Sequence, residues 1–172
     1  MRTDGQARCI GQGYCWCMTQ LSAHTIIGPH CTTNETTAMQ DIGALWAAAI
    51  AAGFGAPDMY AVYRNYQVRP GGHTFEVVVG RLATVGEIAS EIAGEVIGQG
   101  ACVVAVPAQH CHHVVTDGSI ADVQRAWAHI RAQWPDGGPR SFIADLEHWV
   151  LGSNGQPQRA DLFIGLRPDV QS

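Results

Sequence analysis

Apolar and polar positions along the chain fall into one pattern that is laid down twice. Leu21–Ile27 is an apolar run of strand length. A helical period follows from about Glu35 to Ala52, with Met39, Ile42, Leu45, Trp46, Ala49 and Ile50 on one face and Gly53 as a natural stop. Thr32 with Glu35 and Thr37 with Gln40 both have capping-box spacing, which leaves the helix start open between them. Strands are then predicted over Asp58–Val68 and His73–Leu82, joined by Arg69-Pro70-Gly71-Gly72, whose glycines permit the positive φ of a tight hairpin. The order recurs downstream. Ala101–Pro107 and Cys111–Thr116 read as one long or bent strand kinked at Pro107. Ser119 with Asp122 opens a helix carrying Ile120, Val123, Trp127, Ile130 and Trp134 on one face, and Pro135 ends it. Ser141–Val150 and Arg159–Leu166 form a second hairpin over Gly152-Ser153-Asn154-Gly155.

The pattern predicts an α+β fold of two duplicated β-α-β-β halves, about 21–82 and 101–167, forming antiparallel sheet with a ligand cleft where they meet. Trp46 and Trp127 hold corresponding places on the two helices, and Val79-Gly80 and Ile164-Gly165 hold them near the ends of the two last strands. Residues 83–100 read as a linker with a weak helical bias: Ile88, Ile92 and Val96 recur every four residues, but Glu87, Glu91 and Glu95 would repel one another along such a helix. Residues 1–20 follow neither period and read as an irregular extension, leaving 21–172 as the domain.

Composition narrows the function classes. Hydrophobic residues at 47% against 15% charged supply enough apolar surface for a core. A net charge of −5, with ten Arg and no Lys, argues against a surface for nucleic acid. No apolar run reaches the roughly 18 residues of a membrane span. Met1-Arg2-Thr3-Asp4-Gly5 opens no apolar leader, so a cytoplasmic location is expected and the six Cys read as thiols. Gly11-Gln12-Gly13 and Gly98-Gln99-Gly100 are too short for a phosphate-binding loop, and no Gly-x-Ser-x-Gly elbow occurs; no cofactor is expected.

The most informative segment is 142–150. With period-2 alternation, Phe142, Ala144, Leu146, His148 and Val150 share one face and Ile143, Asp145, Glu147 and Trp149 the other. The second face sets a carboxylate beside an indole, which suits an organic cation if partly desolvated; alternatively Glu147 simply faces solvent. On Asp58–Val68, Tyr60, Val62, Arg64, Tyr66 and Val68 alternate with Met59, Ala61, Tyr63 and Asn65. Superposing the halves matches Tyr66 to Trp149 and Arg64 to Glu147. Either Tyr60 and Tyr66 add aromatic walls, or Arg64 neutralises Glu147 in an ion pair. His110-Cys111-His112-His113 alternates across a strand, and His24, His30 and Cys31 are loosely placed, so four converging zinc donors are not expected. The same alternation makes His110 and His112 poor bases for a Cys111 nucleophile.

Ile42-Gly43-Ala44-Leu45-Trp46, Met59-Tyr60-Ala61-Val62-Tyr63, Val106-Pro107-Ala108-Gln109 and Leu146-Glu147-His148-Trp149, in that order over about 21–167, resemble the GyrI-like small-molecule-binding domain. This is also the effector-binding domain of bacterial multidrug-responsive transcription activators. The resemblance implies an aromatic-lined pocket between the halves, with Glu147 in the place of the glutamate that neutralises lipophilic cations. Trp149 stands where the family commonly has Tyr, and Cys111 where it usually has Tyr. The expected ligand contacts are Glu147, Trp149, Tyr60, Tyr66, Tyr63 and Cys111. The family's regulators carry a helix-turn-helix, for which the twenty N-terminal residues leave no room, so a stand-alone form is expected, contacting neither nucleic acid nor membrane. Two rivals accompany this reading. One is a hydrolase of strained electrophiles with Glu147 as base and Tyr63 or Tyr66 as acid. The other is a gyrase-inhibitor-like module with a protein partner or a homodimer.

Overall fold

The structure, a computed structural model, describes residues 8–9, 15–55, 57–69, 72–92 and 100–170. Nine strands and three helices are described: β1 (Arg8–Cys9), β2 (Cys15–Leu21), β3 (His24–Asn34), α1 (Ala38–Ala51), β4 (Asp58–Arg69), β5 (Gly72–Leu82), α2 (Val85–Ile92), β6 (Ala101–Val106), β7 (Gln109–Thr116), α3 (Ile120–Gln133), β8 (Ala144–Leu151) and β9 (Pro157–Gly165). A 3-10 turn follows at Pro168–Val170.

The strand order is β1-β2-β7-β9-β8-β4-β5-β3-β6, and every pairing is antiparallel. Within it, β3-β5-β4 of one half mirrors β7-β9-β8 of the other, as duplication requires. The halves abut along β4 and β8, where Ala61 lies opposite Glu147 and Tyr63 opposite Asp145. Written as a line the order ends on β6, yet β6 passes into β7 after Pro107 and Ala108, and β2 into β3 after Ser22 and Ala23. Leu21 pairs with Gln109 and His24 with Val106 on either side of that double bend, so the ladder curls back on itself. Pro107, which donates no N–H, sits at the bend. The expected single bent strand is thus two strands serving different parts of one curved sheet. Where β3 and β5 come closest, a Cβ on Gly28 would fall 1.9 Å from the Val79 carbonyl oxygen, and one on Gly80 equally near that of Ile27; only glycine fits there.

Both faces of the sheet are buried. Helices α1 and α3 cover one, with Leu45, Ala49, Val123, Ala126 and Ile130 packing on Met59, Ala61, Val79, Leu162 and Ile164. The other encloses a second core around Tyr60, Val62, Val78, Val104, Cys111 and Leu146. Helix ends follow local chemistry. The Ser119 hydroxyl accepts from Asp122 N–H at 3.1 Å, as the spacing implies. Helix α1 uses neither expected box: Asn34 Oδ1 accepts from Thr36 and Thr37 N–H instead. Two expectations need correction. Strand β2 begins at Cys15 and pairs with β7, so the sheet extends into the segment expected to be irregular. Helix α2 forms within the expected linker because Thr84 and Glu87 exchange side chain-to-backbone bonds, and Arg81 neutralises Glu87. Glu95 lies outside the described residues.

Candidate functional site

Alternation along β8 sends Asp145, Glu147 and Trp149 to one face, as read from the sequence; that face lies beneath the helices, and all three are buried there. Glu147 is 2% exposed. Its Oε1 accepts from the Tyr63 hydroxyl at 2.8 Å and from the Trp127 indole N–H at 2.6 Å. Its Oε2 accepts from the Trp149 indole N–H at 2.8 Å. All three donors are uncharged, and among the described residues no cation pairs with this carboxylate. Burial pushes the Glu147 pKa up, opposed by the bonds from Trp127, Trp149 and Tyr63. Burial and the neighbouring Glu147 charge hold Tyr63 well above the ordinary tyrosine value, so it serves as a phenol donor.

Three elements besides β8 build this arrangement. Strand β4 supplies Tyr63, α3 supplies Trp127, and α1 supplies Trp46, whose ring meets Trp149 edge-on at 5.4 Å. Tyr63 meets Trp127 edge-on at 5.4 Å. Tyr66 joins the same face because a bulge between Arg64 and Gln67, with Asn65 at φ 53°, breaks the alternation of β4. Its hydroxyl donates to Asp145 Oδ2 at 2.8 Å.

Asp145 lies two residues from Glu147 and is satisfied differently. It is fully buried, accepts Gly165 N–H at 2.9 Å, and is gripped by Arg140 through Nε at 3.0 Å and through Nη2. The Arg140 guanidinium sits 4.7 Å from the Tyr66 ring centre, 4.6 Å from Phe142 and 5.4 Å from Trp127. Burial works against its charge, but Asp145 more than offsets this, and the Arg140 pKa is raised. Phe142 adopts φ 57°, which is strained for a bulky side chain and aims its ring at this cage. Gly137 makes room: a Cβ there would lie 2.6 Å from the Phe142 ring. On the outer side of Arg140 is a cavity of about 240 Å³, lined also by Phe142, Trp134, His73 and Glu35.

Of the six expected contacts, Glu147, Trp149 and Tyr63 are joined directly, and Tyr66 lies next to them through Asp145. Tyr60 and Cys111 belong to the core on the opposite face. Tyr60 stacks on His148 at 4.7 Å. Cys111 is fully buried, its thiol pushed up to about 12 by burial and then by the Asp145 charge. They fall there because residues an odd number apart point to opposite faces until a bulge intervenes. Arg64 does not reach Glu147; it pairs with Glu76 at 2.9 Å. His112 turns its ring edge-on to Trp134, while His113 bonds Asp161. Trp46 and Trp127 were marked in the sequence only as corresponding positions on the two helices, and neither they nor Arg140 were among the expected site residues. A buried indole N–H needs an acceptor, and that requirement was the available signal for Trp127.

Comparison with protein-family models and with curated proteins finds no match. Solved structures do match over nearly the whole chain. An integron cassette protein from the mobile metagenome of Vibrio cholerae, VCH_CASS2, aligns with a TM-score of 0.64 at 16% identity, covering 95% of this chain and 97% of that one. SAV2435, solved bound to tetraphenylphosphonium, aligns with a TM-score of 0.62 at 14% identity, covering 89% of this chain and 94% of its own. The C-terminal domain of EcmrR aligns with a TM-score of 0.53 at 10% identity, covering 90% and 98%. At such identities the likeness is one of architecture. By that measure, the mirrored halves joined at β4 and β8 give this chain the α+β fold that it shares with these three proteins.

Proposed function

We propose that this domain binds lipophilic, aromatic cations, with Glu147 as counter-charge and Trp149, Tyr63 and Trp127 as walls. The observation that carries the reading is a buried carboxylate satisfied by three neutral donors, with no described cation beside it. Such a group keeps its negative potential where water cannot screen it. At about 4 Å a charge pair gains about 1 kcal/mol in bulk water and about 4 kcal/mol at an effective dielectric of 20. Glu147 is closed off in the resting structure, so a ligand reaches it only after one donor swings aside. Trp127 is the partly exposed donor, and its ring borders the Arg140 cage next to the 240 Å³ cavity. Entry by that route gives the ligand's rings Phe142 and Trp134 first and the charge last.

The test is a tryptophan-quenching titration with tetraphenylphosphonium and with neutral triphenylphosphine oxide. The cation binds more tightly to the parent protein, and Glu147→Gln weakens it by about tenfold, or about 1.4 kcal/mol, while leaving the neutral compound unchanged. Equal loss for both compounds, or none for the cation, refutes the charge role.

A further inference from the structure

We propose that Cys17, His113 and Asp161 form a second, thiol-based reactive site on the sheet face turned away from α1 and α3, one that captures soft carbon electrophiles such as α,β-unsaturated carbonyl compounds. The three residues come from neighbouring strands. Cys17 on β2 lies opposite His113 on β7, which lies opposite Phe163 on β9, two residues beyond Asp161. Cys17 Sγ is 3.6 Å from His113 Nδ1, and His113 Nε2 is 2.8 Å from Asp161 Oδ1. The Phe163 ring stacks on the imidazole at 4.6 Å with planes 2° apart, which fixes the ring's orientation.

The chemistry follows from which nitrogen carries the proton. Asp161 is 4% exposed and also accepts from Arg159 at 2.7 Å. Burial opposes its charge, but the bonds from His113 and Arg159 win, and its pKa is lowered. An ionised carboxylate only accepts, so Nε2 bears the hydrogen and Nδ1 presents its lone pair to the thiol. A nucleophile, a base and a group that orients the base are thereby in sequence. Cys31, Cys102 and Cys111 have raised pKa values, chiefly through burial, which makes them poor competitors for a reagent. Cys17 and His113 are only partly buried, which leaves the sulfur open to a reagent.

In the reaction the Cys17 proton passes to His113 Nδ1, and the sulfur electron pair bonds the β-carbon of the electrophile. The alkene π pair moves onto the α-carbon, and His113 returns the proton there. The adduct holds every atom of both reactants, so no leaving group or oxidant is needed. Cys17 is the nucleophile that becomes alkylated, His113 its base and Asp161 a positioning residue.

The experiment treats the full chain with limiting N-ethylmaleimide and follows each cysteine peptide by mass spectrometry. Cys17 is modified about tenfold faster than Cys31, Cys102 or Cys111, and His113→Gln removes that advantage. Asp161→Asn, which keeps the shape but offers an amide N–H to Nε2 and so favours the wrong tautomer, slows Cys17 similarly; Asp161→Glu restores part of the rate. Circular dichroism establishes that each variant is folded, and Asp161→Asn decides the matter if His113→Gln is not. A Cys17 rate unchanged in folded Asp161→Asn, or no faster than that of Cys31 in the parent, overturns the proposal.

Discussion

Replacing Arg140 by Met tests the electrostatic logic of the site most directly. The substitution keeps an unbranched side chain of similar reach but removes the cation from Asp145, which is fully buried. Asp145 then loses the Nε and Nη2 bonds and keeps only Tyr66 hydroxyl and Gly165 N–H as donors. Breaking a buried ion pair from one side costs about 3–5 kcal/mol. The two surviving donors move the expectation toward the lower end. The guanidinium contacts with Tyr66, Phe142 and Trp127 are also lost, though a thioether against the same rings recovers part of that. The expected loss is about 3 kcal/mol, read by urea unfolding as a lower midpoint at unchanged slope. The pairing itself is isolated by adding Asp145→Asn, whose Oδ1 still accepts Gly165 N–H while the charge is gone. The double variant recovers to within about 1 kcal/mol of the parent, a coupling of at least about 2 kcal/mol. A loss below about 1 kcal/mol for Arg140→Met, or a double variant no more stable than the single, refutes the assignment of Arg140 as Asp145's resident cation.

Two further predictions concern pH and have opposite signs. The folded pKa of Glu147 is raised by burial, so the native state holds its proton longer than the unfolded chain, and stability falls as pH rises from the ordinary value of 4.5 through the folded value. Stability-versus-pH curves of the parent and Glu147→Gln therefore converge or cross as pH increases over that window; a gap that widens in the parent's favour contradicts the buried, cation-free carboxylate. Glu87 goes the other way: the Arg81 bonds and then those from Thr84 hold its carboxyl at about 2. Its contribution is present above its ordinary value of 4.5 and is lost as pH falls toward 2. Carbon-detected NMR titration finds the midpoint near 2, and Arg81→Gln returns it toward 4.5; a parent midpoint near 4.5 refutes the pairing.

Local signals in the chain were legible where one principle acted alone. Ser119 three residues before Asp122 marks the α3 start, and the alternation of Asp145, Glu147 and Trp149 puts them on one face, because both depend on near neighbours. Thr84 and Glu87 carried the same capping signal, yet the segment read as a linker because the Glu repeat argued repulsion. Arg81, just outside the window, neutralises Glu87. Tyr60 and Tyr66 show where alternation fails: the bulge at Asn65 moves Tyr66 to the face opposite Tyr60, and an Asn inside a strand-like run is too weak a sign by itself to predict a left-handed residue. Alternation placed Trp149 beside Glu147, and Tyr63 was expected with it only through the resemblance; the Trp127 bond to Glu147 and the His113 partner of Cys17 were out of reach for a different reason. Tyr63 lies 84 residues from Glu147, and His113 lies 96 from Cys17. Such pairs exist only once the strand order is known, and the curl that sets β2 against β7 depends on the double bend at 22–23 and 107–108.

Two acids on one strand, two residues apart, on one face and equally buried, receive opposite treatment, and that contrast is the strongest argument about this domain. Asp145 has a guanidinium tethered to it, with three aromatic rings around the cation. Glu147 has indoles and a phenol. If stability were the sole demand, a second buried pair or an apolar residue at 147 would serve as well or better, since an unpaired buried carboxylate is costly. The Arg140 cage also demonstrates what this wall of rings accepts: a flat, delocalised, weakly hydrated cation. A compact ammonium would surrender strong hydration for π faces that offer no oxygen in return. Aromatic side chains also surround Glu147. On the proposed reading, the ligands preferred are those whose positive charge is spread over aromatic groups, and a titration with simple alkylammonium ions gives far weaker binding; equal affinity for the two classes refutes that preference.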